Sequence, residues 1–349
     1  MTRLFVTNQV DNSLSVIDLR EGHVDTLGPC GDNPAAIALY RRGQQLYIVN
    51  EGADSVAVYD LRQHAFCASI GVGKTPVAMA VDERRGLLYV VNEGANTVSV
   101  IRLADYAVEQ TIPVGKAPSA LVLTADGRWL GVVNKGDNTV LFLPVGSGGA
   151  PWTLSTDDYP TSMALLPRKR KVYVTNAKDD TITVIDMLTQ SVVKTIPVDG
   201  VPYSAAAAPD DRRVYITKPG AQQVAVLDTA LDEVVAEFPV AGLPMGLAVS
   251  FDGRSIYVTC FGARRVAVLD SISGAVARTF QVGRVPMGIA EVPNGYSLQQ
   301  DRRAFRALSM EERMRLAREA YEARQREREL AIELRRQRIR GERGRRRGR

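Results

Sequence analysis

Apolar and polar residues alternate with a period of two along most of the chain, in short stretches bounded by polar turns. Asn96-Thr97-Val98-Ser99-Val100-Ile101 and Asp180-Thr181-Ile182-Thr183-Val184-Ile185 show the pattern plainly. β-Branched residues dominate these stretches, and a side chain on every second position faces the same side of a sheet, so the pattern predicts strands. Asp126-Gly127 and Asp252-Gly253 supply the turn chemistry of tight hairpins.

The pattern is itself periodic. Leu46-Tyr47-Ile48-Val49-Asn50, Leu88-Tyr89-Val90-Val91-Asn92 and Val172-Tyr173-Val174-Thr175-Asn176 belong to a series that advances in steps of 42 residues. Pro34, Pro76, Pro118, Pro160, Pro202, Pro244 and Pro286 keep the same step. Each unit holds four strand patterns. An apolar run follows the proline, as in Val77-Ala78-Met79-Ala80-Val81. The Tyr-containing string comes next, then an alternating strand that usually closes on Asp18, Asp60, Asp186, Asp228 or Asp270, then an outer strand such as Val192-Val193-Lys194-Thr195-Ile196. Four strands in about 42 residues is the size of one propeller blade. Six complete units begin at Pro34 through Pro244. The seventh is divided between residues 1–33 and Met287–Val292, which predicts a ring closed by pairing the two ends of the repeat array. The expected fold class is therefore all-β: a seven-bladed β-propeller with split-blade closure over residues 1–296. A C-terminal basic α-helical tail follows over residues 297–349.

The recurring Tyr-Val-Thr-Asn string, followed by Asn-Thr-Val-Ser-Val-Ile, resembles the YVTN family of β-propeller repeats. The resemblance runs from residue 1 to about 296. Lys218 and Cys260 stand where the family has Asn, and Gly131 where it has Tyr. The resemblance implies the propeller and little about activity, because relatives include binding and surface proteins, and related propellers include lactonases and lyases.

Composition narrows the chemistry. The chain has 349 residues with only two His, which excludes a histidine-rich metal centre and His-ligated haem. His23 and His64 fall in turns before outer strands, so no Ser-His-Asp or Cys-His arrangement forms near the axis. Cys30, Cys67 and Cys260 have no metal or disulfide spacing and read as free thiols in a reducing compartment. No signal-peptide pattern opens the sequence, and no 18-residue apolar run occurs, so the expected location is cytoplasmic. The net charge of +5 divides into −4 on the first 300 residues and +9 on the last 49, which hold 18 Arg. The basic character therefore belongs to the tail, and the body is expected to carry no comparable patch.

The recurring Asn, Asp and Pro residues read as structural, tying turns and crossovers. Binding is expected where the repeats differ, on the face formed by the inter-blade crossovers and the loops after the Tyr strands, here called the upper face. Its candidate ligand-binding residues are Glu51, Glu93, Lys135, Tyr203, Arg264, Arg265 and Arg284, the three arginines forming a candidate anion patch. Ser119, Thr161, Ser162 and Ser204 line one side of the channel, and Met245 and Met287 the other. The channel-lining stretches around Ser119, Thr161, Ser204, Met245 and Met287 carry no carboxylate and no His, so no cofactor or metal is expected. Glu51 and Glu93 with Asn50 and Asn92 are the substitutes a metal-dependent propeller would need.

In the tail, Ser309 and Glu312 have capping-box spacing, and Met310, Met314, Ala317 and Tyr321 share one helical face. Arg340, Arg343, Arg345, Arg346, Arg347 and Arg349 form an Arg/Gly end suited to phosphate contacts. The leading functional expectation is a non-catalytic propeller that binds a small molecule or protein on its upper face and carries a basic arm. The alternatives are a lactonase- or lyase-like metal-dependent enzyme, a nucleic-acid-associated protein acting through the tail, and a scaffold that oligomerises through the tail helix.

Overall fold

A computed structural model describes residues 2–40, 44–146 and 149–292. The helical tail expected over 297–349, with its six candidate anion-binding arginines, lies outside the described residues.

The described residues form seven four-stranded antiparallel sheets. Blade 1 is representative, with inner strand Pro34–Tyr40, second strand Gln45–Asn50, third strand Ser55–Asp60 and outer strand Ala65–Gly71. Blades 2, 3, 4 and 6 repeat it from Pro76, Pro118, Pro160 and Pro244, and blade 5 from Ala205. Blade 7 is the split one. Its inner strand Pro286–Val292 pairs antiparallel with Arg3–Asn8, which leads into Ser13–Asp18 and Val24–Leu27. Arg3 faces Val292 and Phe5 faces Ala290 across the junction. The inner strands of neighbouring blades touch all the way round, including blade 7 to blade 1, so the ring is closed.

The core lies between blades. Second strands are sandwiched by neighbours on both faces, which is why Leu46-Tyr47-Ile48-Val49 reads as a continuous apolar run and is fully buried. Burying each such side chain contributes about 1.5–3 kcal/mol. Outer strands return to strict alternation: Glu233–Pro239 buries Phe238 and exposes Val235.

The repeated polar residues hold this frame. Asp18, Asp60, Asp186, Asp228 and Asp270 each accept backbone N–H bonds from the two residues beginning two positions on, as Asx turns. The Asn residues are structural in a different way from turn ties. Asn8, Asn92 and Asn176 are buried, and each amide donates to two hydroxyls on the third strand, Ser13 and Ser15, Thr97 and Ser99, Thr181 and Thr183. The inner strand starts at the proline in six blades. In blade 5 it covers only Ala205–Ala207, leaving Pro202 and Tyr203 outside the ladder.

Candidate functional site: the upper channel mouth

Two residues from each blade build the rim of the upper mouth. One follows the second strand: Gln9, Glu51, Glu93, Lys135, Ala177, Pro219 and Phe261. The other precedes the inner-strand proline: Asn33, Thr75, Ala117, Tyr159, Val201, Leu243 and Val285. In most blades they are stapled together by a backbone bond, as in Glu51 N–H to Asn33 C=O at 3.0 Å and Phe261 N–H to Leu243 C=O at 3.0 Å.

All seven residues before the prolines adopt left-handed backbone, with φ between 44° and 63°. That region costs an L-residue roughly 1–2 kcal/mol and costs a β-branched residue most. Glycine would sit there freely, yet Thr75, Val201 and Val285 are β-branched.

The rim divides by chemistry. Blades 7, 1, 2 and 3 carry a polar network. Gln9 Nε2 and Asn33 Nδ2 donate to Glu51 Oε2 at 3.3 and 3.0 Å. Lys135 Nζ donates to Glu93 Oε1 at 2.9 Å and lies 5.2 Å from the centre of the Tyr159 ring. Burial pushes the Glu51 carboxyl above its ordinary range, the charge of Glu93 adds to this, and Lys135 opposes it. Burial draws the Lys135 ammonium down, but its bond to Glu93 outweighs that and holds it above the usual value. Burial also raises Tyr203, whose phenol feels Lys135, Tyr159, Glu93 and Glu51. Two carboxylates and one ammonium leave this arc one negative charge in excess.

Blades 5 and 6 supply the apolar arc. Val201, Leu243 and Phe261 are 42%, 42% and 37% exposed, large apolar side chains left facing solvent. Deeper in the channel, Ser119 Oγ donates to Pro160 C=O and Thr161 Oγ1 to Tyr203 C=O, so these hydroxyls tie neighbouring blades.

Of the residues singled out from sequence, Glu51, Glu93, Lys135 and Tyr203 face one another here. The arginines lie apart from that network. Arg284 pairs through Nε with Asp11 at 2.5 Å. Arg264, left-handed after the 3-10 turn Phe261–Ala263, acts on the same Asp11. Arg265 donates to Ala241 C=O at 3.0 Å. Gln9, Asn33, Val201 and Leu243 were not visible as site residues. Their signal is positional: the residue before each proline and the residue after each second strand. Among the described residues no group of three or more His, Cys, Asp or Glu converges to hold a metal, and Asn50 spends its amide on Cys30 C=O. Among the same residues no helix is long and apolar enough to cross a membrane.

Comparison with known proteins agrees on architecture. Residues 3–107 match the family described as lactonase, 7-bladed beta-propeller, and residues 198–294 match that described as YNCE-like beta-propeller. No curated protein matches the sequence. Among solved structures, hydrazine synthase of Kuenenia stuttgartiensis is similar at TM-score 0.68 and 20% identity, over 80% of this chain and all of that one. A protein from Lactobacillus plantarum matches at TM-score 0.70 and 18% identity, over 84% and 99% of the two chains. Apo AztD from Citrobacter koseri matches at TM-score 0.64 and 14% identity, over 85% and 99%. At these identities the likeness is one of fold. What the sheets, the split closure and the matched families share is the seven-bladed β-propeller, and this chain has that fold.

Proposed function

We propose that the protein is a non-catalytic binding propeller whose upper mouth takes a ligand, or an exposed segment of a partner, that joins an apolar body to a cationic group. The observation that carries this reading is the two-sided rim. Val201, Leu243 and Phe261 offer apolar surface, and the arc of Glu51, Glu93, Lys135 and Tyr159 opposite carries excess negative charge. An ammonium or guanidinium beside Glu51 relieves the repulsion from Glu93 and gains the aromatic faces nearby. The backbone cost at Val201 and Leu243 supports the same reading, since strain kept at an exposed rim points to side chains in use. Phenethylammonium, titrated calorimetrically, tests it. Wild-type protein should bind it about ten-fold more tightly than Phe261→Ser protein. Equal affinity in the two would sink the reading.

A second reading is favoured by the lactonase family match over residues 3–107, which includes Glu51 and Glu93. It makes these carboxylates the oxygen donors for a divalent cation. Hydrolysis of γ-butyrolactone with added divalent ions separates the two: turnover that disappears in Glu93→Gln protein would favour the enzyme.

A further inference from the structure

The lower face, where the inner hairpins turn, carries a repeated cation on the −4 body. Arg128, Arg170, Arg212 and Arg254 recur there in steps of 42 residues, and all four are exposed. Between blades 5 and 6 this face opens into a cleft of about 590 Å³. That volume falls within the usual range for small-molecule sites.

Arg168, Arg212, Arg213 and Arg254 line the cleft, with Asp210, Asp252 and Asp270. The carboxylates are already engaged by their own turns. Asp270 accepts from Ile272 N–H, Ser273 N–H and Ser273 Oγ. Asp252 accepts from Ser250 Oγ and Arg254 N–H, and Asp210 from Arg212 N–H. The guanidiniums are much less committed. Arg213 spends one N–H on Ser271 C=O, and Arg212 stands 3.9 Å from Asp210. The Arg168 and Arg254 side chains make no hydrogen bond among the described residues, although Arg254 feels the charge of Asp252. Unspent guanidinium forks on two walls of one cleft suit an anion with several oxygens, which accepts paired N–H bonds. Pro209 and Ile272, the latter 75% exposed, add apolar surface beside the charges.

We propose that this cleft is a second ligand site, separate from the upper mouth, for a phosphate ester that carries a flat apolar group. The phosphate is held between Arg168 and Arg254, and the flat group lies on Ile272 and Pro209. Calorimetric titration of the full-length protein with adenosine monophosphate, inorganic phosphate, adenosine and succinate tests it. Adenosine monophosphate should bind one-to-one and more tightly than each of the other three. The Arg168→Gln/Arg254→Gln double variant should weaken it about ten-fold or more, and Arg128→Gln, on the same face outside the cleft, should leave it unchanged. Arg168→Lys/Arg254→Lys keeps the charge and loses the fork, and should fall between. Binding as tight in the double variant as in the wild type would overturn the proposal, because the anion would then be held elsewhere, the Arg-rich C-terminal segment included. Succinate or inorganic phosphate binding as tightly as adenosine monophosphate would overturn the ligand class.

Discussion

Lys218 Nζ lies 2.7 Å from Asp199 Oδ1, at a point where blades 1, 2, 3 and 7 set an asparagine amide against a glycine. A Cβ on Gly73 would come within 2.7 Å of Asn92, and one on Gly115 within 2.5 Å of Asn134, so those crossovers leave no room for a side chain. Blade 5 replaces the whole arrangement. Relative to blade 2, Lys218 stands for Asn92, Asp199 for Gly73, Ala225 for Ser99, and Glu237, for Thr111, takes a second Lys218 bond. Lys218 is fully buried, while Asp199 and Glu237 reach solvent. Burial draws the Lys218 ammonium down, but the two carboxylates outweigh it and hold it above its ordinary value.

That asymmetry gives a first prediction. Lys218→Met lets both carboxylates rehydrate and should change stability by no more than about 1 kcal/mol. Asp199→Asn/Glu237→Gln leaves the buried ammonium without its counter-charges and should lower stability by more than Lys218→Met does. The raised Lys218 pKa stabilises the fold below the unfolded lysine value, and this is lost as pH rises through the folded one. The Lys218 bond holds Asp199 below its ordinary range, so its share is present above the unfolded carboxyl value and is lost as pH falls through the folded one. Urea melts at neutral pH and near pH 3 check both: the gap between wild type and double variant should narrow in acid. A gap that widens in acid would contradict the pairing.

The threonine one residue before the strand-ending position gives a second. Thr259 Oγ1 accepts from Gly246 N–H at 2.9 Å and donates to Met287 C=O at 3.0 Å, joining blade 6 to blade 7. Thr217 and Thr7 make the same bridge to Met245 and Ala35, whereas Val49, Val91 and Val133 hold the position in blades 1 to 3. Thr259→Val leaves two backbone groups unpaired and should cost about 1–3 kcal/mol. The denaturation midpoint measures it, and no shift would show that the bridge contributes nothing.

The mouth gives a third. Val201→Gly removes a β-branched side chain from left-handed backbone. The strain relief and the added freedom of the unfolded chain oppose each other, so the melting temperature should stay level or rise. Phenethylammonium binding should weaken at the same time. A large fall in melting temperature would mean that Val201 is held for packing.

Blade number, strand order and the split closure were legible because the 42-residue step has no insertions, so each proline fixes the phase of the next. Glu51, Glu93, Lys135 and Tyr203 were legible as upper-face residues because the repeats differ there. The apolar arc was not, since Val201 and Leu243 look like ordinary strand residues until the backbone turns left-handed and leaves them exposed. The arginine group was misleading for a related reason. Loop position brings Arg284 to the face, but Asp11, 273 residues away in sequence, is what it meets. The lower cleft was hidden by net charge, which sums Asp210, Asp252 and Asp270, bonded within their own turns, with the Arg168 and Arg254 guanidiniums, which make no hydrogen bond among the described residues.

Charge preference at the mouth is the most direct measurement of the central claim. Phenethylammonium and 3-phenylpropionate share the ring and differ in the sign of the charged end. The wild type should bind the ammonium and not the carboxylate, and Glu51→Gln should remove most of that preference. Because burial and Glu93 raise the Glu51 pKa, ammonium binding should decline as pH falls, beginning above the ordinary glutamate value of about 4.3. Lys135→Met removes the charge that holds Glu51 down and should move the decline to higher pH. Equal affinity for the two ligands, or a preference for the ammonium that survives Glu51→Gln at every pH, would contradict the account.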